Sequence, residues 1–204
     1  MKKVILVDGN NLLFRSYYAT AYQGNFMKNS KGFPTNALYG FVNMINKIIS
    51  DEKPEYMLVA FDKGKTFRHD KYEDYKAGRI EMPNELKQQF PVAKEILTNL
   101  GIKWFEIDNY EADDIVGTLS KMIDDCDDYR GLIVSSDKDL LQLITDKVIM
   151  KMLKPKDYVM MTKETFFDVY GLTPEKMIDI KALQGDSSDN IPGVKGIGEK
   201  TALK

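Results

Sequence analysis

The sequence predicts an α/β fold in which a mostly parallel central sheet is flanked by helices. Short apolar runs rich in β-branched residues alternate with longer segments whose apolar residues recur at helical spacing. Three of the runs end directly at an aspartate, namely Asp8, Asp62 and Asp137. Because ligands of parallel sheets bind at the carboxyl ends of the strands, these aspartates mark the edge where a functional site is expected.

The first half of the chain predicts three strands and two helices. Residues 4–7 form a β-branched run that Asp8-Gly9 ends, which is typical of a buried parallel strand. A helix follows at residues 35–50, where Thr35 after Pro34 is a plausible N-cap. The remaining elements of this half are a strand at 56–61, a helix at 85–100 that Gly101 closes, and a strand at 103–107.

The second half continues the alternation and then becomes helical. A helix is predicted at residues 111–123, and strands at 131–136, 148–153 and 158–161. Helices at 163–170 and 174–183 follow Thr162 and Thr173, and a glycine-rich segment follows them. We therefore expect two units, an α/β core at residues 1–161 and a smaller helical subdomain at residues 162–204.

Composition narrows the chemistry that the protein can use. The 204 residues carry a net charge of −2, with a single cysteine, Cys126, and a single histidine, His69. One cysteine excludes an internal disulfide and a zinc site built on paired cysteines, and one histidine disfavours serine or cysteine triads. After residues 1–3 the apolar run reaches only Val7, so we expect neither a signal peptide nor a membrane span, and a cytoplasmic location.

Acidic residues are concentrated at the predicted strand ends and in three further clusters. Each cluster has an ordinary explanation: aspartate ends strands, acids favour the first turn of a helix, and acidic loops are solvated. These ordinary explanations account less easily for so many acids converging on one edge of the predicted sheet. The nine acids concerned are Asp8, Asp62, Glu111, Asp113, Asp114, Asp137, Asp139, Asp186 and Asp189.

Carboxylates brought together in this number would repel one another unless cations bind among them. Oxygen ligands select hard ions, and more acids than one octahedral ion can use imply two Mg²⁺ or Mn²⁺ ions. Two such ions about 3.5–4 Å apart suit in-line phosphoryl displacement without a side-chain nucleophile. By contrast, the acidic stretch at residues 124–128 is interpreted as a solvated helix end.

A basic and aromatic segment, which we name the arch, follows the second strand at about residues 63–84. Its aromatic residues Phe67, Tyr72 and Tyr75 are interleaved with charges of both signs. Charge alone favours a solvated surface helix, but the position beside the carboxylates favours a lid that binds phosphates and stacks on bases. Its cations are Lys63, Lys65, Arg68, Lys71, Lys76 and Arg79.

The glycine-rich segment near the C-terminus is not a P-loop, because Glu199 stands where that motif requires lysine. A Gly196-Ile197-Gly198 turn that opens a helix can instead present backbone amides to a phosphate. Lys195 and Lys200 add positive charge, which suits binding to backbone phosphates without recognition of the base sequence. A plain interhelical turn explains the same residues, and the sequence alone does not choose between the two.

Taken together, these motifs resemble the 5′-nuclease domain at the N-terminus of bacterial DNA polymerase I, within the flap endonuclease family. The resemblance covers essentially the whole chain: LVDGNN, FRH followed by YKAGR, YEADD, SSDKDLLQL and GDSSDNIPGVKGIGEKTA occur in the family's order. It implies a PIN-like fold with a helical arch and a C-terminal helix-hairpin-helix. It also implies hydrolysis of DNA near 5′ ends and flaps, in replication and repair, with two Mg²⁺ or Mn²⁺ ions.

Residue roles follow from the same resemblance. Asp8, Asp62, Glu111 and Asp113 would surround the first metal. Asp114, Asp137, Asp139, Asp186 and Asp189 would serve the second, with Asp113 bridging. Lys76 and Arg79 would be catalytic. The residues expected to bind DNA are Arg15, Arg68, Tyr72, Tyr75, Lys76, Arg79, Gly193, Lys195, Gly196, Gly198, Lys200 and Thr201, with K⁺ as an additional ion at the helix-hairpin-helix.

Partners and alternatives complete the expectation. The partner is branched or nicked DNA with a 5′ end or flap, bound by a monomer. The sequence ends at Lys204, just as the second hairpin helix begins, which predicts a longer parent that is either a polymerase fusion or a free-standing nuclease. Two other classes stay open: a PIN-like ribonuclease, disfavoured by Asp186, Asp189 and the glycine turn, and a non-catalytic DNA-binding module, disfavoured because every acid of the motif is present.

Overall fold

The computed structural model describes residues 1–21 and 27–204. Its helices are α1 (Gly9–Thr20), α2 (Asn36–Glu52), α3 (Phe67–Lys71), α4 (Asn84–Lys87), α5 (Gln89–Asn99), α6 (Ala112–Asp124), α7 (Lys163–Tyr170), α8 (Met177–Gln184) and α9 (Glu199–Ala202). Its strands are β1 (Lys2–Asp8), β2 (Tyr56–Ala60), β3 (Lys103–Phe105), β4 (Tyr129–Ser135), β5 (Val148–Leu153), β6 (Tyr158–Met161), β7 (Gly185–Asp186) and β8 (Ile191–Pro192). Short 3₁₀ helices lie at Lys138–Leu143 and Pro174–Lys176.

The central sheet has the strand order β3-β2-β1-β4-β5-β6. All neighbouring strands are parallel except β5 and β6, which are antiparallel. In the register of β1, Asp8 pairs with Ala60 at the end of β2, and Val7 pairs with Val134 near the end of β4. This register brings the carboxyl ends of the three central strands, and the residues that follow them, to one edge.

Two hydrophobic cores cover the two faces of the sheet. Successive side chains of a strand point to opposite faces, so Ile5 and Val7 pack on one face and Leu6 on the other. The first face is covered by α1, α2 and α5, and the second by α6 together with Phe166 of α7 and Ile180 of α8. The segment after residue 161 therefore shares a core with the sheet, and the predicted division of the chain into two units stays a prediction.

The structure corrects several predicted elements. Helix α1 was missed, because Asn10, Asn11 and Arg15 obscure its buried stripe of Leu12, Leu13 and Tyr17. The predicted helix at 85–100 is divided into α4 and α5, and Pro91 lies in the first turn of α5, where its missing N–H costs no hydrogen bond. The predicted strands at 56–61, 103–107 and 131–136 end at residues 60, 105 and 135, and β4 begins at residue 129.

The arch is less helical than the resemblance implies. Of residues 63–84, only α3 and the first residue of α4 are α-helical, and turns connect them. Gly78 adopts a φ of 84°, a left-handed conformation that interrupts a helix. At the C-terminus, α8 is joined to α9 through the β7-β8 pair and a turn at Gly196, whose φ is 85°.

Within residues 1–21 and 27–204, none of the helices combines the length and the apolar character needed to cross a lipid bilayer.

Candidate active site at the carboxyl ends of the strands

The predicted acids converge on one cleft at the carboxyl ends of the central strands, with a volume of about 580 Å³. It is lined by Asp8, Asp62, Glu111, Asp113, Asp137, Asp139, Asp186 and Asp189, which are eight of the nine acids singled out in the sequence. The cleft also contains Lys76 and Arg79 of the arch and Lys181 of α8. The topology therefore assembles acids from five separate segments at the edge where ligands of parallel sheets bind.

Asp8 and Asp62 are held at the ends of β1 and β2 by several hydrogen bonds. Asp8 caps α1 by accepting the Asn11 N–H at 2.9 Å, and its other oxygen accepts the Ser135 hydroxyl at 2.9 Å. The Asp62 carboxylate accepts the Ala112 N–H at 2.7 Å and the Asn10 side-chain amide at 2.9 Å. Both carboxylates are thus fixed before any ligand arrives.

The pKa values of these buried acids show an unmet demand for positive charge. Burial, with a smaller contribution from neighbouring carboxylates, raises the pKa of Asp8 to about 7 and that of Asp113 to about 8. Burial also raises the pKa of Asp62. A cation placed among these groups would favour their ionised forms, which is the condition expected of a metal site.

Protein cations already pair with four other acids of the cleft, namely Glu111, Asp139, Asp186 and Asp189. Lys181 places its Nζ 2.6 Å from Asp139 Oδ1 and 2.7 Å from Asp186 Oδ2. Burial would raise the pKa of Asp186, but the bonds from Lys181 and Ser188 outweigh it and lower the pKa to about 2. Lys76 pairs with Glu111 at 2.7 Å, and Arg79 pairs with Asp189.

The arch is docked onto the loop at residues 186–190, which we name the acidic loop. The Lys76 N–H donates to the Asp189 carbonyl at 2.9 Å, and the Asn190 side chain donates to the Asp74 carbonyl at 2.9 Å. Both Lys76 and Asn190 have positive φ, of 59° and 58°. Such conformations are uncommon outside glycine, and here they occur at the junction between the two segments.

Tyr75 faces the carboxylates instead of the solvent. It is 6% exposed, and its hydroxyl lies 3.1–3.2 Å from both carboxylate oxygens of Glu111 and 3.0 Å from Asp189 Oδ2. A DNA-binding role for Tyr75 stays a prediction that this buried arrangement does not favour, whereas Tyr72 is 38% exposed. Arch residue Tyr75 therefore links α6 to the acidic loop.

Asp114 does not line the cleft. It accepts two hydrogen bonds from Arg68, at 2.7 and 2.8 Å, and one from the Glu111 N–H at 2.9 Å. Burial would raise the pKa of Asp114, but these bonds lower it. The arrangement fixes the start of the arch to the N-terminus of α6 and turns Arg68 toward the protein. A metal role for Asp114 and a DNA role for Arg68 stay predictions that this geometry does not favour.

The glycine-rich segment combines a structural glycine with an exposed surface. A Cβ at Gly193 would lie 2.2 and 2.3 Å from the carbonyl carbon and oxygen of Gln184, so only glycine fits. A Cβ at Gly196 or Gly198 would meet nothing within 4 Å. The other predicted DNA-binding residues here, Lys195, Lys200 and Thr201, are exposed, and Arg15 of α1 donates to the Lys154 carbonyl.

Sequence reasoning missed four polar residues that support the cleft. Asn10, Asn11 and Ser135 hydrogen-bond to the carboxylates or to the turns that carry them, and Lys181 bridges Asp139 and Asp186. The asparagines lie two and three residues after Asp8, and this proximity was the available signal. Lys181 lies 42 residues from Asp139, so the ion pair between them depends on the packing of α8. No local sequence pattern predicts it.

The donor set fits a hard divalent ion. In the described part of the chain, no three acidic or histidine side chains are yet arranged to hold an ion, and Lys76, Arg79 and Lys181 engage several of the oxygens. Even so, the cleft supplies only oxygen donors, and burial leaves Asp8 and Asp113 with raised pKa values. A divalent cation bound here would replace protons and side-chain ammonium groups.

The chain is similar in sequence and in fold to proteins that are already known. A family model described as the 5′-3′ exonuclease N-terminal resolvase-like domain matches residues 3–171, and one described as the 5′-3′ exonuclease C-terminal SAM fold matches residues 172–204. A structure of the T5 D15 protein co-crystallized with metal ions has a TM-score of 0.76 and 27% identity. That similarity covers 99% of this chain and 73% of the other.

Two curated relatives come from Bacillus subtilis (strain 168). DNA polymerase I is 48% identical over 206 residues, which is 100% of this chain and 23% of the polymerase. A 5′-3′ exonuclease is 48% identical over 205 residues, which is 99% of this chain and 69% of that protein. The chain thus spans about a quarter of the polymerase it matches.

The fold, with its acids at the carboxyl ends of parallel strands, defines the class of PIN-like 5′ nucleases. Within that class the chain belongs to the 5′-3′ exonuclease family.

Proposed function

We propose that this chain hydrolyses phosphodiesters in DNA that carries a 5′ end or flap, with divalent metal ions as cofactors. The observation that carries the proposal is the convergence of eight carboxylates on one cleft beside the cations of the arch. Such a cleft repels polyanionic DNA unless metal ions occupy it, and a pair of hard ions held close together would serve phosphodiester hydrolysis. Membership of the 5′-3′ exonuclease family supports the same reaction.

Two groups of acids would hold the ions. Asp8, Asp62, Glu111 and Asp113 would surround one, and Asp137, Asp139, Asp186 and Asp189 the other. When bound, two Mg²⁺ or Mn²⁺ ions supply an activated water and stabilise the leaving oxygen. Asp113 is the proposed shared ligand, as the family resemblance implies. Burial raises its pKa, and so do the nearby charges of Asp8 and Asp137, one from each group of acids.

The arch would supply cations to the scissile phosphate. Lys76 and Arg79 now pair with Glu111 and Asp189, which belong to the proposed ligand set. Once other cations neutralise those carboxylates, the ammonium and guanidinium groups become free to bind a phosphate whose charge grows in the transition state. The same residues thus balance the charge of the cleft at rest and bind the substrate during the reaction.

The exposed turn of the C-terminal segment would bind the duplex part of the substrate. Lys195 and Lys200 flank Gly196 and Gly198, whose backbone is open to close approach by a phosphate. A bound K⁺ at this turn belongs to the same proposal. We also propose that the chain acts as a monomer in the cytoplasm, in replication and repair, and that it is fused to a polymerase in a longer protein.

The decisive experiment is cleavage of a 5′-labelled flap duplex with and without Mg²⁺. We expect cleavage near the flap junction with Mg²⁺ or Mn²⁺, and complete loss in EDTA that added metal reverses. Single-stranded DNA and RNA in the same panel test the ribonuclease alternative. Binding without cleavage in Mg²⁺ would contradict the proposed reaction and support a non-catalytic DNA-binding module, and cleavage after exhaustive chelation would contradict its dependence on metal.

A further inference from the structure

Two adjacent asparagines follow Gly9 in the first turn of helix α1, close to Asp8, and both lie against the cleft. Asn10 and Asn11 occupy its first turn and line the cleft with Asp8 and Asp62. Although they differ by one position, they reach opposite neighbours of β1, since Asn10 contacts the end of β2 and Asn11 contacts the end of β4. The pair therefore lies between the central strand and both of its partners.

Asn10 makes a reciprocal pair of hydrogen bonds with Asp62. Its Nδ2 donates to Asp62 Oδ2 at 2.9 Å, and its Oδ1 accepts the Asp62 backbone N–H at 3.1 Å. Two bonds between the same two residues fix the rotation of both side chains, and they join positions that are 52 residues apart. The other carboxylate oxygen of Asp62 accepts the Ala112 N–H at 2.7 Å, so α1 and α6 hold it from two directions.

The chemistry of an amide suits this position. A lysine or arginine that held Asp62 would cancel its charge, as Lys76 and Lys181 do for other acids of the cleft. A neutral amide orients the carboxylate and leaves its full negative charge available to a cation. Hydrogen bonds of this kind to ligating groups raise metal affinity by holding the ligand in place before the ion arrives.

We propose that Asn10 is a positioning residue that holds the Asp62 carboxylate ready for a divalent ion. The inference rests on the proposed metal-dependent function of the cleft. It predicts that losing the amide weakens metal binding more than it weakens the fold, because the contact is made to a charged group at the cleft and not to the core.

Asn11 provides a matched comparison on the same helical turn. Its Oδ1 accepts the Ser136 N–H at 3.0 Å and the Ser136 hydroxyl at 2.9 Å. Among the described residues, its side chain makes no hydrogen bond to a carboxylate. The bond from the Asn11 backbone N–H to Asp8 survives truncation of the side chain. Asn99, exposed at the end of α5, serves as a remote control.

The test compares Asn10→Ala, Asn11→Ala and Asn99→Ala with the unchanged chain in three measurements. These are Mn²⁺ binding by titration calorimetry without DNA, thermal unfolding in EDTA, and flap cleavage as a function of Mg²⁺ concentration. We expect Asn10→Ala to weaken Mn²⁺ binding about tenfold and to raise the Mg²⁺ concentration for half-maximal cleavage by a similar factor, as for other supporting bonds to metal ligands. Saturating metal should restore most of the rate. Asn11→Ala should weaken Mn²⁺ binding less than Asn10→Ala does, and Asn99→Ala should bind Mn²⁺ as the unchanged chain does.

The inference is overturned if Asn10→Ala binds Mn²⁺ normally, or if Asn10→Ala and Asn11→Ala weaken binding equally, because equal effects would indicate general loosening of α1. Should Asn10→Ala not fold, Asn10→Ser gives the same readout, since a serine side chain is too short to make both bonds to Asp62. A failure of the proposed function is distinguishable, because the unchanged chain would then neither bind Mn²⁺ nor cleave, and the role of Asn10 would be rejected with it.

Discussion

Individual carboxylates in the cleft differ in protonation because their immediate partners differ. Asp186 is bound by Lys181 and Ser188, and its pKa falls to about 2, so it is ionised at neutral pH. Asp113 has only repulsive neighbours among the charges that shift its pKa, which burial and those charges raise to about 8. The site therefore contains two kinds of carboxylate. Some, such as Asp186, are paired with protein cations, and others, such as Asp113, hold a proton that a divalent ion would replace.

Replacing Asp113 tests the centre of the proposed site. Asp113→Asn removes one negative charge at nearly constant volume, and we expect cleavage to fall by orders of magnitude because a shared ligand is lost from both ion positions. The fold should stay intact. Burial and neighbouring carboxylates raise the pKa of Asp113 to about 8, so its carboxyl group is mostly uncharged at neutral pH without metal, and an amide of similar volume resembles it. Flap cleavage and thermal unfolding in EDTA measure the two effects. Asp128→Asn, at the exposed acidic stretch beyond α6, is the control, and near-normal cleavage by Asp113→Asn would reject the site assignment.

The cations divide into two groups by distance from the reaction. Lys76→Ala and Arg79→Ala should lower turnover more than DNA affinity, because both side chains line the cleft. Lys195→Ala and Lys200→Ala should lower affinity more than turnover, because these exposed side chains contact phosphates away from the scissile bond. Affinity measured in Ca²⁺ and single-turnover rates measured in Mg²⁺ separate the two. Loss of binding alone in all four variants would remove the evidence for a catalytic arch.

At the level of elements, two segments distant in sequence meet at the acidic loop. The arch docks on this loop through backbone and side-chain hydrogen bonds, and the glycine-rich segment begins just beyond it, where β7 pairs with β8. Gly185 and Gly193 permit that pairing, because a Cβ on either would lie within 2.5 Å of backbone atoms. The glycines of this segment therefore serve two purposes, close packing near the acidic loop and open backbone farther along.

Paired glycine substitutions separate these purposes. Gly193→Ala should destabilise the C-terminal segment and, through the acidic loop, weaken metal binding, because its Cβ would overlap the Gln184 carbonyl. Gly198→Val should leave stability and metal binding unchanged, because the space around it is open, but it should weaken duplex binding if a phosphate approaches there. Thermal unfolding, Mn²⁺ calorimetry and duplex affinity in Ca²⁺ distinguish the two variants. Normal duplex binding by Gly198→Val would show that the turn connects two elements of the fold and does not bind a DNA phosphate.

For the whole molecule, the features that could be predicted from the sequence are those that a local pattern of residues determines. Apolar runs indicated the parallel strands, and the acids after them converge because parallel strands end at a common edge. Contacts between distant segments carried no such signal. The inward rotation of Tyr75, the pairing of Arg68 with Asp114 and the bonds of Asn10 to Asp62 depend on how the arch, α6 and α1 pack together. Residue types at the site were thus predictable, and their pairings were not.

The charge balance of the whole cleft should make stability depend on pH and metal together. The pKa values of Asp8 and Asp113 rise from 3.8 to about 7 and about 8, so between about pH 4 and 8 the folded state binds more protons than the unfolded state. Without metal, these two groups therefore stabilise the fold fully below about pH 4, and their contribution is lost as the pH rises to about 8. Asp186 acts oppositely, since its lowered pKa adds stability that is lost only as the pH falls from about 4 toward 2.

Divalent ions should reverse this trend, because they replace the protons on Asp8 and Asp113 and bind more tightly as the pH rises. We expect the melting temperature in EDTA to decrease between pH 6 and 8, and the increase caused by Mg²⁺ to grow over the same range. In a chain of this size, each kcal/mol corresponds to roughly 2–4 °C. Asp113→Asn should flatten the decrease in EDTA, because one of the two responsible protons is gone, whereas Asp128→Asn should not. A melting temperature in EDTA that rises from pH 6 to 8 would show that the acids of the cleft are already ionised without metal, and the charge balance described here would be wrong.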